Sequence, residues 1–401
     1  MKGLEYLLKE IDFKDVSIKQ KKNQYIIQNK RYIPGKEKKK KKDLFFDGNT
    51  FLTTIKKIKK IISLNETKNE QKEKIIIFKM GKTFFKDKAA YILFESLLYL
   101  LCRDYFFDIK LLFEKMEIYN IYQDEVKNLL VNYQNKILDK EKYKSDFLKF
   151  FISNRRFRKI VKYDKFKDDK EELSKLADEL AYFFKSLSIE EGQKDVFAET
   201  LVELVGNACE HGESDCLIDI NLSSTLKKNY FDQERAGLDI VIYNFSESLF
   251  GTGIKNILTS EENFNKVLKE AYLNHKNFFN SKYKFDDFCN IAAFQWRISS
   301  REKITSGFTG GTGLTTLIRT LIKFSEKDRC YIYSGKDVIY FIEKYLTLSS
   351  ENKQEKMYNL IGFNEESDFI NYPPSSNIFA SSPFYLNGTL YNLIFIIKKI
   401  G

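Results

Sequence analysis

The sequence predicts an α+β protein, with helices laid on one face of a mixed, largely antiparallel sheet and an α/β region ahead of it. Three observations carry this. Two helical stripes, Leu173–Leu187 and Phe197–Gly212, are followed by two strand-like runs, Cys216–Leu222 and Leu238–Phe245. That order suits helices covering one face of a sheet. From Lys72 the pattern instead alternates strand, helix, strand, the sign of a small α/β unit. Between them the polar stretch Tyr163–Lys170 makes a natural boundary, dividing residues 1–165 from residues 170–401.

Composition narrows the class. With 401 residues the chain has material for two or three domains, and 43% hydrophobic with 31% charged residues is ordinary for a globular protein. The formal charge of +11 bears on solubility and steering rather than on a specific nucleic-acid partner. Five scattered cysteines (Cys102, Cys209, Cys216, Cys289, Cys330) form no CxxC pair, so neither a zinc site nor a disulfide framework is expected, and a cytoplasmic location fits. The start, MKGLEYLLKEIDF, lacks the apolar core of a signal peptide. The most apolar run, Tyr91–Phe107, carries Glu95, Arg103 and Asp104, so no membrane span is expected.

Taken in order, the chain opens with its least informative part. Lys38–Lys42 reads as a solvated loop or, alternatively, as a phosphate-binding arm with Tyr32, Phe45 and Phe46 to stack on bases. Ile75–Phe78 reads as a buried strand and Lys88–Arg103 as an Ala- and Leu-rich helix. Phe106–Phe113 is a second strand or a continuing helix. Glu114–Phe157 reads as mainly helical and charged, finishing at the cluster Arg155, Arg156, Arg158 and Lys159. After the boundary, Leu176, Leu180, Phe183 and Phe184 mark one helical stripe.

The helix Phe197–Gly212 has two distinct faces. Leu201, Leu204, Val205 and Ala208 repeat at the spacing of a buried stripe. Glu203, Asn207 and His211 lie four apart on the other side. That set suits a hard cation and a water: the Asn207 oxygen can ligate Mg²⁺ and Glu203 can take a proton from an attacking oxygen. Asp195 is expected as N-cap and Gly212 as the residue past the end. Further on, Gly310, Gly311, Thr312, Gly313 and Leu314 form a turn whose backbone N–H groups can crowd a phosphate at a helix N-terminus. Arg329–Ser334 and Asp337–Ile342 read as a β-hairpin around Gly335.

The string ELVGNACEHG resembles the N-box of the GHKL nucleotide-binding superfamily, which includes topoisomerase ATPase domains, heat-shock chaperones, sensor histidine kinases and anti-sigma serine kinases. Its spacing is most similar to the anti-sigma kinase branch. GGTGL resembles the family's G2 box, with Thr315 where another glycine is usual. LDIVIYNFSESLFGTGI falls where the G1 box belongs, with Asn244 in place of the adenine-contacting Asp, Ser246 in place of the first glycine, and Gly251 and Gly253 following a short insertion. NGTLYNLIFIIKK resembles the last family strand, its Gly-Thr being Gly388 and Thr389. The resemblance implies a Bergerat-type α/β sandwich over residues 170–401, a nucleotide lid at about residues 247–309, and ATP with Mg²⁺ as ligands. The N-terminal region bears a faint similarity to STAS-type domains, which would make it the partner-selecting part.

What the resemblance implies is a regulatory protein that hydrolyses ATP or phosphorylates a protein partner on Ser or Thr. A non-catalytic module that senses ATP or ADP is the alternative, motivated by the departures at positions 244, 246 and 315. A homodimer stays open, and a nucleic-acid partner is the weaker third reading. No histidine precedes His211, so phosphorylation of an upstream histidine in this chain is excluded by inventory. In the lid, Arg297 and Arg301 beside Trp296 are candidates for a terminal phosphate, while His275 is expected to pack or to face solvent.

Overall fold

The computed structural model describes residues 1–9, 11–28, 44–66, 74–118, 129–168, 171–187, 189–222, 235–260, 266–295, 313–325, 329–346 and 360–398. The Lys38–Lys42 run and Trp296, Arg297 and Arg301 lie outside them, as do Gly310, Gly311 and Thr312.

The chain is α+β. Its N-terminal half holds β1 (Lys19–Lys21), β2 (Gln24–Gln28), β3 (Leu44–Phe46), α1 (Gly48–Glu66), β4 (Ile75–Phe85), α2 (Lys88–Asp104) and β5 (Asp108–Ile118), then α3 (Lys140–Leu148). β4 is the spine of this sheet: β2 pairs parallel with its first part, β3 with its end and β5 along its length, while β1 closes an antiparallel hairpin on β2. Asp87 starts α2 by accepting from the Ala90 N–H at 2.8 Å. α2 is then buried almost all round, which its Leu-rich sequence with so few charges requires.

The second half holds β6 (Phe151–Ile152), β7 (Arg156–Val161), α4 (Tyr163–Asp168), α5 (Glu171–Lys185), α6 (Glu191–Gly212), β8 (Cys216–Leu222), β9 (Arg235–Asn244), α7 (Thr252–Thr259), α8 (Lys266–His275), α9 (Phe285–Ala292), α10 (Gly313–Phe324), β10 (Tyr331–Tyr340) and β11 (Phe379–Lys398). Its six strands run in the order β10-β11-β9-β8-β7-β6, and every pairing is antiparallel. α5, α6 and α10 cover one face. There Phe157, Ile218, Ile240 and Leu393 meet Leu180, Phe184, Leu201, Leu204 and Leu317. Each such fully buried side chain contributes on the order of 1.5–3 kcal/mol of burial free energy.

Four local expectations change. The sheet begins at Phe151, ahead of the polar stretch at 163–170, because Phe157 and Val161 alternate onto the core although Arg156, Arg158 and Lys159 mask the pattern. α6 starts at Glu191, so Asp195 lies inside it rather than capping it. The last helical residue is Gly212, and Glu213 takes the left-handed cap at φ 47°. Residues 331–340 form one bulged strand along β11 rather than a hairpin.

The second face of the large sheet is also covered. Leu217, Val241, Tyr243, Phe245 and Leu390 join the core of the N-terminal half, against α1 and α2. The continuous apolar run of β9 reflects this burial on both sides. Among the described residues, no helix is long and apolar enough to cross a membrane.

Candidate functional site

α6 and α10 lie antiparallel on the same face of the sheet. The Phe197 ring stands 5.2 Å from that of Phe324, and Thr200 Oγ1 is 2.9 Å from Thr320 Oγ1. Moving up α6 from Phe197 to Thr200 therefore moves down α10 from Phe324 to Thr320. Carrying both helices a further seven residues, about 10 Å at 1.5 Å per residue, reaches Asn207 on one and Gly313 on the other. By this helix arithmetic, the glycine that opens α10 falls level with Asn207.

The polar face of α6 points away from its buried stripe. Glu203 and Asn207 are half-buried and His211 is exposed. Glu203 sits one turn before Asn207 on the same side. Among the described residues the Asn207 side-chain amide has no hydrogen-bond partner. The first N–H groups of α10 lack intrahelical partners by construction and carry the positive end of the helix dipole. Leu314 seats that end by packing at the rim of the core. A carbonyl-type oxygen beside a helix N-terminus fits a cation shared with an anionic ligand. The described residues offer no cluster of three or more His, Cys, Asp or Glu that would hold a metal alone.

At the same C-terminal end of α6, next to Asn207, Asn244 is held by hydrogen bonds on both sides. Its Nδ2 donates to the Ala208 carbonyl at 3.0 Å and to Ser214 Oγ at 3.2 Å, and its Oδ1 accepts from the Thr389 N–H at 3.2 Å. Both donors are used, one lone pair remains, and the residue is 2% exposed. Two glycines make this join possible. A Cβ on Gly212 would stand 1.8 Å from Asn244 Nδ2, and one on Gly388, at φ 104°, would stand 2.1 Å from the Asn244 carbonyl oxygen. Ser246 likewise turns inward and donates to the Ser248 carbonyl at 2.8 Å.

The other predicted residues lie on β11, at the start of α7 and on α8. Thr389 is buried beside Asn244 on β11. Gly251 precedes α7 and lies against Asn290 of α9, while Gly253 is in the first turn of α7. His275 is buried, with Nδ1 2.6 Å from the Tyr283 hydroxyl and Nε2 2.7 Å from the Phe369 carbonyl. Burial lowers its pKa, the Phe369 contact opposes that, and the ring is a packing element.

One buried cluster has no counterpart in the sequence reading. Lys88 on α2 donates to the main-chain carbonyls of Asp219 and Asp239, at 2.8 and 3.0 Å, and pairs with the Asp219 carboxylate at 2.7 Å. Arg158 bridges Glu95 at 2.7 Å and Asp219 at 3.4 Å, and Arg156 reaches Asp219 at 3.1 Å. Burial alone would raise the Asp219 carboxyl; Lys88, Arg156 and Arg158 hold it well below the usual range. The available signal was a charge inside an apolar run, as in LIDIN, GLDIV and LFESL, since buried charges need partners.

No family model, no curated protein and no solved structure matches this chain.

Proposed function

We propose that the chain is a Mg-ATP-binding regulatory protein of the GHKL type, with a Bergerat-type sandwich as its second half, that hydrolyses ATP or phosphorylates a protein partner on Ser or Thr. What supports this reading is the antiparallel packing of α6 on α10, which by helix geometry brings Asn207 toward the N-terminal end of α10. In it, Asn207 offers its oxygen to Mg²⁺, and the backbone N–H groups at the start of α10 hold the phosphates. Glu203, one turn away, orients and deprotonates the attacking oxygen. Positioning and charge neutralisation supply most of the acceleration in such chemistry. The N-terminal half, with parallel strands and helical crossovers, supports a STAS-like, partner-selecting layer.

Purified protein incubated with γ-labelled ATP and Mg²⁺ should release labelled phosphate or label a partner, and Glu203→Ala should abolish that while leaving nucleotide binding. Turnover by Glu203→Ala at the parent rate would remove Glu203 from the mechanism.

A second reading, a nucleotide-sensing module without turnover, is favoured by Asn244. Its committed amide leaves a single lone pair for a base, which weakens recognition at that point. Calorimetric binding of ADP and ATP without product formation would select it.

A further inference from the structure

On the face of the sheet opposite α6 and α10, a cavity of about 680 Å³ lies at the seam between the N-terminal half and strands β10 and β11. We propose that this cavity is a second ligand site, for an uncharged aromatic ring that carries hydroxyl or amide-type groups at its edge. The proposal does not depend on nucleotide binding beside α6.

The cavity has the size of a small-molecule site and sits where such sites commonly occur, between two packed units. Two ring pairs line it. Tyr331 and Tyr340 stand 5.8 Å apart at 62°, and Phe51 and Phe384 stand 5.1 Å apart at 86°. Both are edge-to-face arrangements of the kind that a further aromatic ring can extend.

Charge in the lining is balanced. It carries three carboxylates, Asp47, Asp87 and Asp239, and three cations, Lys86, Lys88 and Arg329. Much of that charge is already spent inside the protein. Asp47 accepts from the Thr50 N–H at 2.9 Å, at the start of α1. Asp87 accepts from the Ala90 N–H and from the Tyr331 hydroxyl, each at 2.8 Å. Burial raises the Asp87 carboxyl, and those two donors together with the charge of Lys86 oppose the rise. Lys88 pairs with the Asp219 carboxylate at 2.7 Å and donates to the main-chain carbonyls of Asp219 and Asp239.

The groups left to a ligand are neutral. Among the described residues, the Tyr340 hydroxyl, the Asn49 amide and the Ser381 hydroxyl, all in the lining, make no hydrogen bond. Each can donate and accept. Aromatic walls, no net charge and free neutral donors and acceptors favour a ring with polar edges over an ion, because an ion would give up its hydration without an opposite charge to replace it.

The test uses two fluorescent probes, titrated separately into the full chain and read by anisotropy. One is 7-amino-4-methylcoumarin, an uncharged ring with an amine donor and a lactone acceptor. The other is its 3-acetic acid derivative, which adds one negative charge. One saturable site is expected for the uncharged probe, and binding of the carboxylate should be weaker by about tenfold or more. Tyr340→Phe keeps the ring, removes its hydroxyl and should weaken the uncharged probe by about fivefold. Ser381→Trp, at an exposed lining position, should plug the mouth and weaken it by about tenfold or more. Asn207→Ala should leave it unchanged. Circular dichroism spectra matching the parent would show that the variants are folded. No saturable site, a carboxylate bound as well as the uncharged probe, or binding indifferent to both lining substitutions overturns the proposal. Loss with Asn207→Ala also overturns it, by assigning the probe to the α6 cleft.

Discussion

Asn244 Nδ2 donates to the Ala208 carbonyl at 3.0 Å, fastening the end of β9 to the last turn of α6. The same amide takes the Thr389 N–H on its other side, so one side chain joins the helix, β9 and β11. A carboxylate here could accept from Thr389 and from the Ser214 hydroxyl, but it could donate nothing to Ala208. Asn244→Asp is therefore expected to destabilise the fold by roughly 2–4 kcal/mol, by facing a buried charge against a carbonyl oxygen. Urea unfolding reads this directly. An unchanged midpoint would mean that the amide is not a strut and is available to a base.

Gly388 makes the complementary prediction from the backbone side. Its φ of 104° and the 2.1 Å approach of an added Cβ to the Asn244 oxygen leave no room for a side chain. Gly388→Ala should cost about 2 kcal/mol or more, with the loss focused where β11 meets β9. Hydrogen exchange of the Thr389 amide would locate it. Protection equal to that of the parent protein would show that the strand end shifts without strain.

The buried ions between α2 and the sheet call for a double-mutant cycle. Glu95 and Arg158 are 0% and 3% exposed at the side chain and 2.7 Å apart. Removing one partner strands the other in a medium that solvates it poorly. Glu95→Leu alone and Arg158→Met alone should each cost roughly 3–5 kcal/mol, whereas the double variant should recover much of that. Additive losses, with no recovery, would mean that the pair is not energetically coupled.

Much of the architecture was legible because it rests on short-range pattern. The stripes of α5 and α6 and the apolar runs of β8 and β9 stand where periodicity placed them. β7 was not legible, since Arg156 and Arg158 read as the end of a charged, mainly helical stretch until Asp219 and Glu95 arrive from distant parts of the chain. The cover on the second face has the same origin: nothing local in α2 says which sheet it will meet. For the site, the four-residue spacing of Glu203, Asn207 and His211 was visible at once. The hydrogen bonds that occupy Asn244 depend on Gly212 and Gly388 coming together, a tertiary fact that spacing does not encode.

Asp287 supplies a pH signature. Its carboxyl is pushed up to about 6, chiefly by burial, with Asp337 and Asp286 adding repulsion and the Lys284 N–H, 2.7 Å away, opposing the shift. Between its ordinary value of 3.8 and about 6, the folded chain binds this proton more tightly than the unfolded chain does. The contribution to stability is therefore complete below the lower value and is lost as pH rises through the upper one. Asp287→Asn keeps an oxygen for the Lys284 N–H and removes the charge. Allowing for partial solvent screening, it should stabilise the protein at pH 7 by roughly 1–2 kcal/mol and by much less near pH 4. Urea midpoints of both proteins across pH 4–7 would test this. A gap between them that stays constant with pH would show that Asp287 does not titrate in this window.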